Sequence, residues 1–367
     1  MEGYWLSNSL STTLTLGEIV RLASKVADPA AWDYLIGGSE TETTLRRNRR
    51  ALDELAFRPR VLRNVSTIDT SHEILGISAR LPLFLAPMGS IKSLDKSGAV
   101  ATALAAKEFG IVAFVSSSSH PGMKTTMNDG GGNLIFQLYV RGDGNSVMEQ
   151  LAEATDLGYK AFCLTVDSAM YGRRERDKLR GYTPSARIDV TGLDHQSGLD
   201  WSLVDKIKYK STIPLILKGI ATEEDARMAV EHEIDVIYVS NHGGRQLDFG
   251  RGTLDILPEI IATVDGKARV FVDGAICRGT DILKAMCLGA DAVGIGRLCG
   301  YGLAAGGKDG IIRVLELLEE EIINAMANLG VTDLDQLTPE LVCRAPSVHE
   351  PSVFSAFHLV DIPTTKY

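Results

Sequence analysis

Eight short apolar runs, most of them followed by a stretch typical of a helix, constrain the fold of this 367-residue chain more than any other feature. The runs lie at 82–88, 111–117, 134–140, 161–167, 214–220, 236–242, 269–275 and 292–297. Runs of this length without polar alternation are typical of strands buried on both faces, and the intervening helices imply that the strands are parallel. Eight such units predict an α/β fold of the (β/α)8 TIM barrel type.

An open, doubly wound sheet would show the same alternation of strands and helices. Such a sheet is expected to carry a G-x-G-x-x-G turn after its first strand, and the turn after 82–88 contains none. Polar residues follow nearly every run, at the strand ends where barrel enzymes build their active sites. Both observations favour the barrel.

The rest of the sequence predicts additions to this barrel. Residues 1–80 contain two amphipathic stretches and predict an N-terminal helical cap segment, 81–340 the barrel, and 341–367 a C-terminal tail. The fourth and fifth runs start 53 residues apart, farther than any other neighbouring pair. The additional segment after the fourth run, at about 170–201, is charged and rich in turn-forming residues, which predicts a lid loop over the barrel mouth.

Charge and composition limit the classes of partner that this chain is expected to bind. The formal net charge is -9 and the basic residues are scattered, which argues against a nucleic acid or an anionic membrane surface as partner. Five cysteines without a C-x-x-C pair indicate reduced thiols and no zinc site. No apolar stretch reaches the ~18 residues that cross a bilayer, and the N-terminus does not resemble a signal peptide. We therefore expect a cytoplasmic protein without a metal ion.

The segment S-N-H-G-G-R-Q-L-D (240–248), which follows the sixth run, carries the strongest chemical signal. His242 can accept a proton near neutral pH, the glycines allow close approach to a flat ligand, and Arg245 presents a fork that fits a carboxylate. A single histidine at a strand end is also commonly a structural hydrogen-bonding residue. Asp167, at the end of the fourth run, can orient and charge-stabilise a protonated His242, and Arg174 follows it towards the barrel mouth.

Other strand ends add charged and aromatic groups. Lys218 closes the fifth run and needs an anionic partner, because a lysine at the end of an apolar strand is costly to leave unpaired. The last two strands end at Asp273 and Arg297, where such barrels commonly bind phosphate, so the sequence indicates a phosphate-bearing substrate or cofactor. By spacing alone, Tyr34 in the cap and Tyr139 after the third run are ordinary half-buried aromatics.

Taken together, these motifs resemble the FMN-dependent L-2-hydroxy acid oxidase and dehydrogenase family, which includes glycolate oxidase, lactate oxidase and mandelate dehydrogenase. The resemblance runs from about Leu16 to Leu337. It rests on D-Y-L-I-G-G, F-R-P-R, A-P-M-G, F-Q-L-Y-V, L-T-V-D-x-x-x-x-G-R-R-E, L-K-G, S-N-H-G-G-R-Q-L-D, D-G-A-x-x-R-G-T-D and I-G-R. It implies FMN as cofactor, a small 2-hydroxy acid as substrate, O2 or another electron acceptor, and a homo-oligomer, commonly a tetramer.

The resemblance also implies roles for individual residues. His242 is the base, with Asp167 hydrogen-bonded behind it, and Tyr139 bonds the substrate oxygen at the carbon that is oxidised. Arg174, Arg245 and Tyr34 contact the substrate carboxylate. The implied flavin contacts are Pro87, Met88, Gly89, Ser116, Gln137, Thr165, Lys218, Ser240, Asp273, Gly274, Ala275, Gly296 and Arg297, with Arg278 as a further candidate near the phosphate.

Three positions depart from the family pattern. Gly89, in A-P-M-G where many members have A-P-T-A or A-P-T-G, resembles members that react less readily with oxygen. Ser118 stands where glycolate oxidase has a tryptophan, which predicts a wider pocket and a bulkier substrate. Cys277 replaces the first arginine of D-G-G-[IV]-R-R-G, a phosphate ligand in the family, and predicts weaker flavin retention.

Two alternative functions stay open at this point. The phosphate end of the barrel also resembles type 2 isopentenyl diphosphate isomerase and IMP dehydrogenase, which predicts an FMN barrel acting on a phosphorylated substrate. Cys277 and the altered first loop also suggest a flavin-binding barrel without turnover. The pair Arg174 and Arg245 favours a carboxylate substrate, and the retained His242 and Asp167 favour an active enzyme.

Overall fold

The computed structural model describes residues 10–141, 144–184 and 196–363. The centre of the predicted lid, 185–195, and both chain ends of the predicted cap and tail therefore lie outside the described residues. The strands are β1 (Leu55–Phe57), β2 (His72–Ile74), β3 (Ile77–Ala79), β4 (Leu83–Leu85), β5 (Val112–Ser116), β6 (Leu134–Leu138), β7 (Phe162–Thr165), β8 (Leu215–Ile220), β9 (Val236–Val239), β10 (Arg269–Val272), β11 (Ala292–Ile295) and β12 (Val342–Arg344).

The eight predicted runs form the eight strands of one closed parallel barrel, β4 to β11, so the predicted fold is confirmed. Each strand pairs with the next one along the chain, and β11 closes the barrel by pairing with β4. Alternate side chains fill the interior. Phe84, Phe114, Tyr238 and Phe271 form an aromatic cluster there, with ring centroids 4.9 to 6.3 Å apart. The hairpin of β2 and β3 packs against the same cluster.

The helices surround the barrel and form the cap. They are α1 (Leu16–Val26), α2 (Pro29–Ile36), α3 (Thr43–Asp53), α4 (Ala99–Phe109), α5 (Met123–Asp129), α6 (Gly144–Asp156), α7 (Glu175–Leu179), α8 (Trp201–Lys210), α9 (Glu223–Glu231), α10 (Thr253–Val264), α11 (Gly279–Cys287) and α12 (Arg297–Leu329). The starts of several helices follow from sequence: Thr15 and Glu18 form a capping box for α1, and Asp28 precedes Pro29 at the start of α2. α12 bends at Gly306 and Gly307, whose backbone leaves helical angles.

The cap contains a third helix, α3, beyond the two amphipathic stretches seen in the sequence. Its N-cap residue, Glu42, makes no capping bond; instead the carboxylate of Asp248 accepts from the backbone N–H of Thr44 at 2.8 Å and of Thr41 at 3.0 Å. A carboxylate at a helix N-terminus is stabilised by the helix dipole. Asp248, the last residue of the 240–248 segment, therefore ties the cap to the barrel mouth.

The start of the C-terminal tail pairs with the cap. β12 runs antiparallel to β1, with Ala56 opposite Cys343. The cysteines are free thiols, and within the described ranges only Cys343 is exposed. No helix in those ranges is long and apolar enough to cross a membrane.

Candidate active site

A cavity that opens to solvent lies at the C-terminal ends of the barrel strands. This is the end at which (β/α)8 barrels build their ligand sites. The predicted site residues that line the cavity are Tyr34, Pro87, Met88, Gly89, Tyr139, Arg174, Lys218, His242, Arg245, Asp273, Gly274, Ala275, Gly296 and Arg297.

The side chain of His242 is held between two groups from other strand ends. Its Nδ1 lies 3.1 Å and 3.3 Å from the two carboxylate oxygens of Asp167, which follows β7. Its Nε2 lies 2.8 Å from the hydroxyl of Tyr139, which follows β6. His242 and Tyr139 line the cavity, whereas Asp167 lies behind the imidazole. This is the arrangement expected for a base with an orienting carboxylate.

The protonation states of these three groups fit that arrangement. Burial and the Lys218 ammonium lower the pKa of His242, although Asp167 acts in the opposite direction. Burial would raise the pKa of Asp167, but His242, Lys218 and the Ser168 hydroxyl outweigh it and hold that pKa below its usual value. Burial, reinforced by Asp167, raises the pKa of Tyr139. The site therefore contains a neutral imidazole that donates from Nδ1 to an ionised Asp167 and accepts at Nε2 from the phenol.

The backbone that presents His242 is left-handed at three consecutive residues. His242, Gly243 and Gly244 have φ of 60°, 62° and 75°. A Cβ at Gly243 would lie 2.7 Å from Nη1 of Arg297, and one at Gly244 would lie 2.5 Å from the backbone nitrogen of Leu45. The left-handed backbone favours glycine at both positions, and at Gly244 the neighbouring backbone of Leu45 also leaves no space for a Cβ. The two glycines of the motif shape the loop as well as the ligand site.

The buried Arg174 and the half-buried Arg245 face the cavity beside Tyr34. Arg245 donates from Nη1 to the backbone carbonyls of Tyr34 and Gly37 at 2.7 Å and 2.8 Å, and its guanidinium stacks 4.6 Å from the Tyr34 ring. Arg174 donates to the Tyr171 hydroxyl and lies 4.1 Å over the Tyr171 ring. Among the described residues, neither arginine forms an ion pair with a carboxylate. Burial and the neighbouring Arg174 lower the pKa of Arg245. An incoming carboxylate would relieve this repulsion.

A second charged network lies deeper, at the ends of β8, β9 and β10. Lys218 is 3% exposed, and its Nζ donates to the hydroxyl of Ser240 at 2.9 Å and lies 3.9 Å from Asp273. The Ser240 and Tyr238 hydroxyls donate to the two oxygens of Asp273 at 2.7 Å and 2.9 Å. The anionic partner that the sequence demanded for Lys218 is thus Asp273, and both residues still reach the cavity wall.

Four predicted cofactor residues lie behind the cavity wall rather than on it: Ser116, Gln137, Thr165 and Ser240. Gln137 donates to the Thr165 hydroxyl at 2.8 Å, while its own Oε1 is buried and has no hydrogen-bond partner in the described part of the chain. A buried acceptor without a donor is costly, so this oxygen is a group that a bound ligand would satisfy.

The phosphate end of the predicted site differs from the expectation in one respect. Arg297 lines the cavity and donates to the carbonyls of Gly37 and Gly243, but its Nε is buried without a partner in the described residues. Arg278 points elsewhere: it pairs with Glu321 of α12 at 2.5 Å and does not line the cavity, because that carboxylate holds it. The Arg278 side chain is thus not part of the cavity wall, and its contact with a phosphate stays a prediction.

Arg49 of α3 lies at the same end of the cavity, and sequence reasoning missed it. It forms a two-pronged ion pair with Asp281 at 2.7 Å and 2.8 Å and donates to the carbonyl of Ala275. Its neighbour Cys277 also lines the cavity; burial raises the pKa of this thiol to about 12, so it stays neutral and supplies no charge. Arg49 sits in the run R-R-N-R-R, where nothing local separates a buried arginine from exposed ones.

Two further contributions were not expected. Gln196, at the end of the lid segment, donates to the backbone carbonyl of Thr165 at 3.2 Å and accepts from Val140 N–H at 3.0 Å. Ser352 and Val353 of the C-terminal tail line the cavity. No motif in the sequence marks these residues, because each contact joins segments that are distant in the chain.

The chain matches the family of FMN-dependent dehydrogenases over residues 23–344. The chain belongs to this family. It is 37% identical over 356 residues to an L-lactate oxidase of Nostoc sp., with 90% of this chain and 98% of that protein covered. It is 36% identical over 343 residues to glycolate oxidase 3 of Arabidopsis thaliana, with 88% and 93% covered. The solved structure of a mandelate oxidase with (S)-2-phenylpropionate superposes with a TM-score of 0.84 at 35% identity, covering 92% of this chain and 100% of that one.

Membership confirms the predicted family, the FMN cofactor and the enzyme class, an oxidoreductase acting on a CH–OH group. The isomerase-like alternative and the alternative without turnover are therefore not retained. The residues present fit FMN. Lys218 and Arg297 bring positive charge to the cavity, and Gln137 Oε1 and Arg297 Nε offer an acceptor and a donor that lack partners among the described residues.

Proposed function

We propose that this enzyme oxidises an L-2-hydroxy acid with a side chain bulkier than that of glycolate to the corresponding 2-oxo acid. The observation that carries the proposal is the array of Tyr139, His242 and Asp167 facing the same cavity as Arg174 and Arg245. The array supplies a base, and the arginines supply a carboxylate site. A hydroxy acid offers groups for both on adjacent carbon atoms.

The positions of the residues support the following roles. Arg174 and Arg245 bind the substrate carboxylate, with Tyr34 beside them. This places the adjacent CH–OH group at Nε2 of His242, which takes one of its two hydrogens as a proton. Asp167 stabilises the imidazolium that forms, and the Tyr139 hydroxyl turns from Nε2 to the substrate oxygen. FMN, when bound, accepts the two electrons and the second hydrogen.

The wall around Ser118 supports a bulkier substrate. The backbone N–H of Ser90 donates to the Ser118 carbonyl at 2.9 Å, and a Cβ on Gly89 would lie 3.1 Å from that of Ser118, so the first two barrel loops pack closely. The short Ser118 side chain lies on the cavity wall together with Met88, Ile91, Leu94 and Met170. A small residue among apolar ones leaves room for an apolar substrate side chain.

The experiment measures anaerobic reduction of the flavin by glycolate, L-lactate, L-mandelate and longer 2-hydroxy acids. The loss of the visible flavin absorbance reports the reduction. We expect the larger acids to bleach the flavin faster than glycolate does. The variant His242→Gln should keep FMN and lose reduction by ~10²–10⁴-fold, because a positioned base contributes about that much. If none of the acids bleaches the loaded enzyme, or if His242→Gln reduces at the wild-type rate, the proposed function is wrong.

Reoxidation distinguishes an oxidase from a dehydrogenase. Gly89 in the first loop favours slow reaction with oxygen, so we propose an acceptor other than O2 as the faster one. Mixing the reduced enzyme with oxygenated buffer and with a quinone or dye acceptor compares the two rates directly. A cytoplasmic location and a homotetrameric assembly stay predictions from the sequence.

A further inference from the structure

Residues 345–363 of the C-terminal tail lie beyond the segment that matches the family, which ends at 344. They nevertheless fold against the protein. Phe357 and Ile362 are buried, and Val360 packs so closely on α1 that a Cβ on Gly17 would lie 2.8 Å from it. The tail therefore has a defined position on the cap.

Within the tail, Ser352 and Val353 form part of the cavity wall. Their neighbour Phe354 stacks on Trp32, with ring centroids 5.9 Å apart and planes 9° from parallel, and Trp32 in turn lies 5.4 Å from Tyr301. Tyr301 lines the cavity on α12, the helix that begins at Arg297. This chain of contacts places the tail at the Arg297 end of the cavity.

A second contact of the tail also lies near the Arg297 end of the cavity. The carbonyl of Ala356 accepts from Nη1 of Arg278 at 3.3 Å, and Arg278 directly follows Cys277, which lines the cavity. Glu321 and Ala356 together keep Arg278 away from the cavity. The end where the family resemblance implies a phosphate therefore has a neutral thiol at 277 and a tail segment beside it.

The hydroxyl of Ser352 can donate a hydrogen bond to an anion. Its oxygen accepts from the backbone N–H of Phe354 at 3.2 Å, and no acceptor among the described residues takes the hydroxyl hydrogen. Val353 adds apolar surface to the cavity wall, and an apolar wall strengthens the attraction between Arg297 and an anion. The Nε of Arg297 is itself buried without a partner in the described ranges, which independently indicates a ligand at this end.

The geometry points to the tail as part of the cofactor site: Ser352 and Val353 close the cavity over the FMN phosphate and slow the loss of the flavin. The tail takes over part of the retention that the arginine replaced by Cys277 provides in the family. This inference rests on FMN as the cofactor and not on which hydroxy acid is oxidised.

The test compares flavin affinities of the apoprotein for FMN and for riboflavin, which lacks the phosphate, by the quenching of flavin fluorescence. Val353→Asp places a negative charge beside the phosphate, and we expect the Kd for FMN to rise about tenfold or more, the effect of a like charge at an effective dielectric constant of ~20. The Kd for riboflavin should stay unchanged. The matched control is Val348→Asp, which makes the same change at a tail residue that is 86% exposed and should alter neither value.

One further variant completes the test. Ser352→Ala should raise the Kd for FMN several-fold without affecting riboflavin, because it removes one hydrogen bond to a charged group. The inference is overturned if Val353→Asp and Val348→Asp bind FMN equally, or if Val353→Asp weakens riboflavin as much as FMN, because the tail would then support the fold without contacting the phosphate.

Discussion

Replacing Asp167 by asparagine removes one charge from the reacting array and leaves its shape. The asparagine oxygen can still accept from Nδ1 of His242, which lies 3.1 Å from one carboxylate oxygen, so the ring keeps its orientation. What is lost is the attraction between the carboxylate and the imidazolium that forms when Nε2 takes the proton. The variant therefore measures the charge and not the positioning.

The magnitude follows from the distance. Two unit charges 3.1 Å apart attract by roughly 5 kcal/mol at an effective dielectric constant of ~20. About half of the positive charge has developed on the ring when the proton is half transferred, so roughly 2.7 kcal/mol of transition-state stabilisation is lost. At ~1.36 kcal/mol for each factor of ten, the rate of flavin reduction should fall about 100-fold.

The assay is the rate of flavin reduction at saturating hydroxy acid, measured anaerobically by stopped flow from pH 4.5 to 8. His242 acts as a neutral base with a pKa below its usual 6.5, so the wild-type rate should fall only below that pH. Asp167 raises the pKa of His242, so the Asp167→Asn variant should lose activity at a still lower pH than the wild type. Its rate at higher pH, where the pH profile is flat, should be lower than that of the wild type.

The matched control for Asp167→Asn is Ser168→Ala. The Ser168 hydroxyl donates to the same carboxylate at 3.1 Å and accepts from Nε2 of Gln246; its removal leaves the carboxylate charge in place, so the rate should fall clearly less than in Asp167→Asn. The reasoning is refuted if Asp167→Asn stays within tenfold of the wild type, or if it loses activity at a higher pH than the wild type.

Three other substitutions separate substrate binding, catalysis and folding. Arg174→Lys keeps the charge but loses the two-pronged fork, so the KM for the hydroxy acid should rise about tenfold with an unchanged Kd for FMN in a flavin titration; an unchanged KM would contradict its role. Tyr139→Phe removes the hydroxyl 2.8 Å from Nε2 of His242, and flavin reduction at saturating substrate should slow about tenfold, whereas a wild-type rate would exclude Tyr139 from the reaction. Gly266→Ala meets open space at φ 71° and should lose ~1–2 kcal/mol from backbone strain alone, whereas Gly244→Ala also places a Cβ 2.5 Å from Leu45 and should melt at a clearly lower temperature; equal melting temperatures would be evidence against the clash.

The sequence predicted the barrel because its signal is local. A parallel strand covered on both faces must be apolar along its whole length, and this pattern can be seen without knowing which strands pair. The same apolar pattern predicts the last residue of a strand inaccurately. The run at 236–242 predicted a strand up to His242, whereas β9 ends at Val239 and His242 adopts a left-handed conformation. The apolar pattern of a run does not indicate at which residue the hydrogen bonds between neighbouring strands end.

The candidate base and its carboxylate could be proposed from sequence because both directly follow strands. The C-terminal ends of parallel strands meet at one face of a barrel, so Asp167 and His242 had to approach each other. Arg278 shows the limit of this reasoning. It lies in the expected loop, yet Glu321 and the tail hold its side chain outside the cavity.

By itself, the sequence determined the barrel, its order of strands and the chemical types of residue at each strand end, since these depend on burial and on position within a strand. The tertiary structure alone decided which groups meet when they do not both follow barrel strands. The pairing of Arg49 with Asp281 and the capping of α3 by Asp248 each join residues more than two hundred positions apart, and Ser352 reaches the cofactor end from more than fifty positions beyond Arg297. Such contacts leave no local pattern, because their free energy exists only once the barrel has brought the segments together.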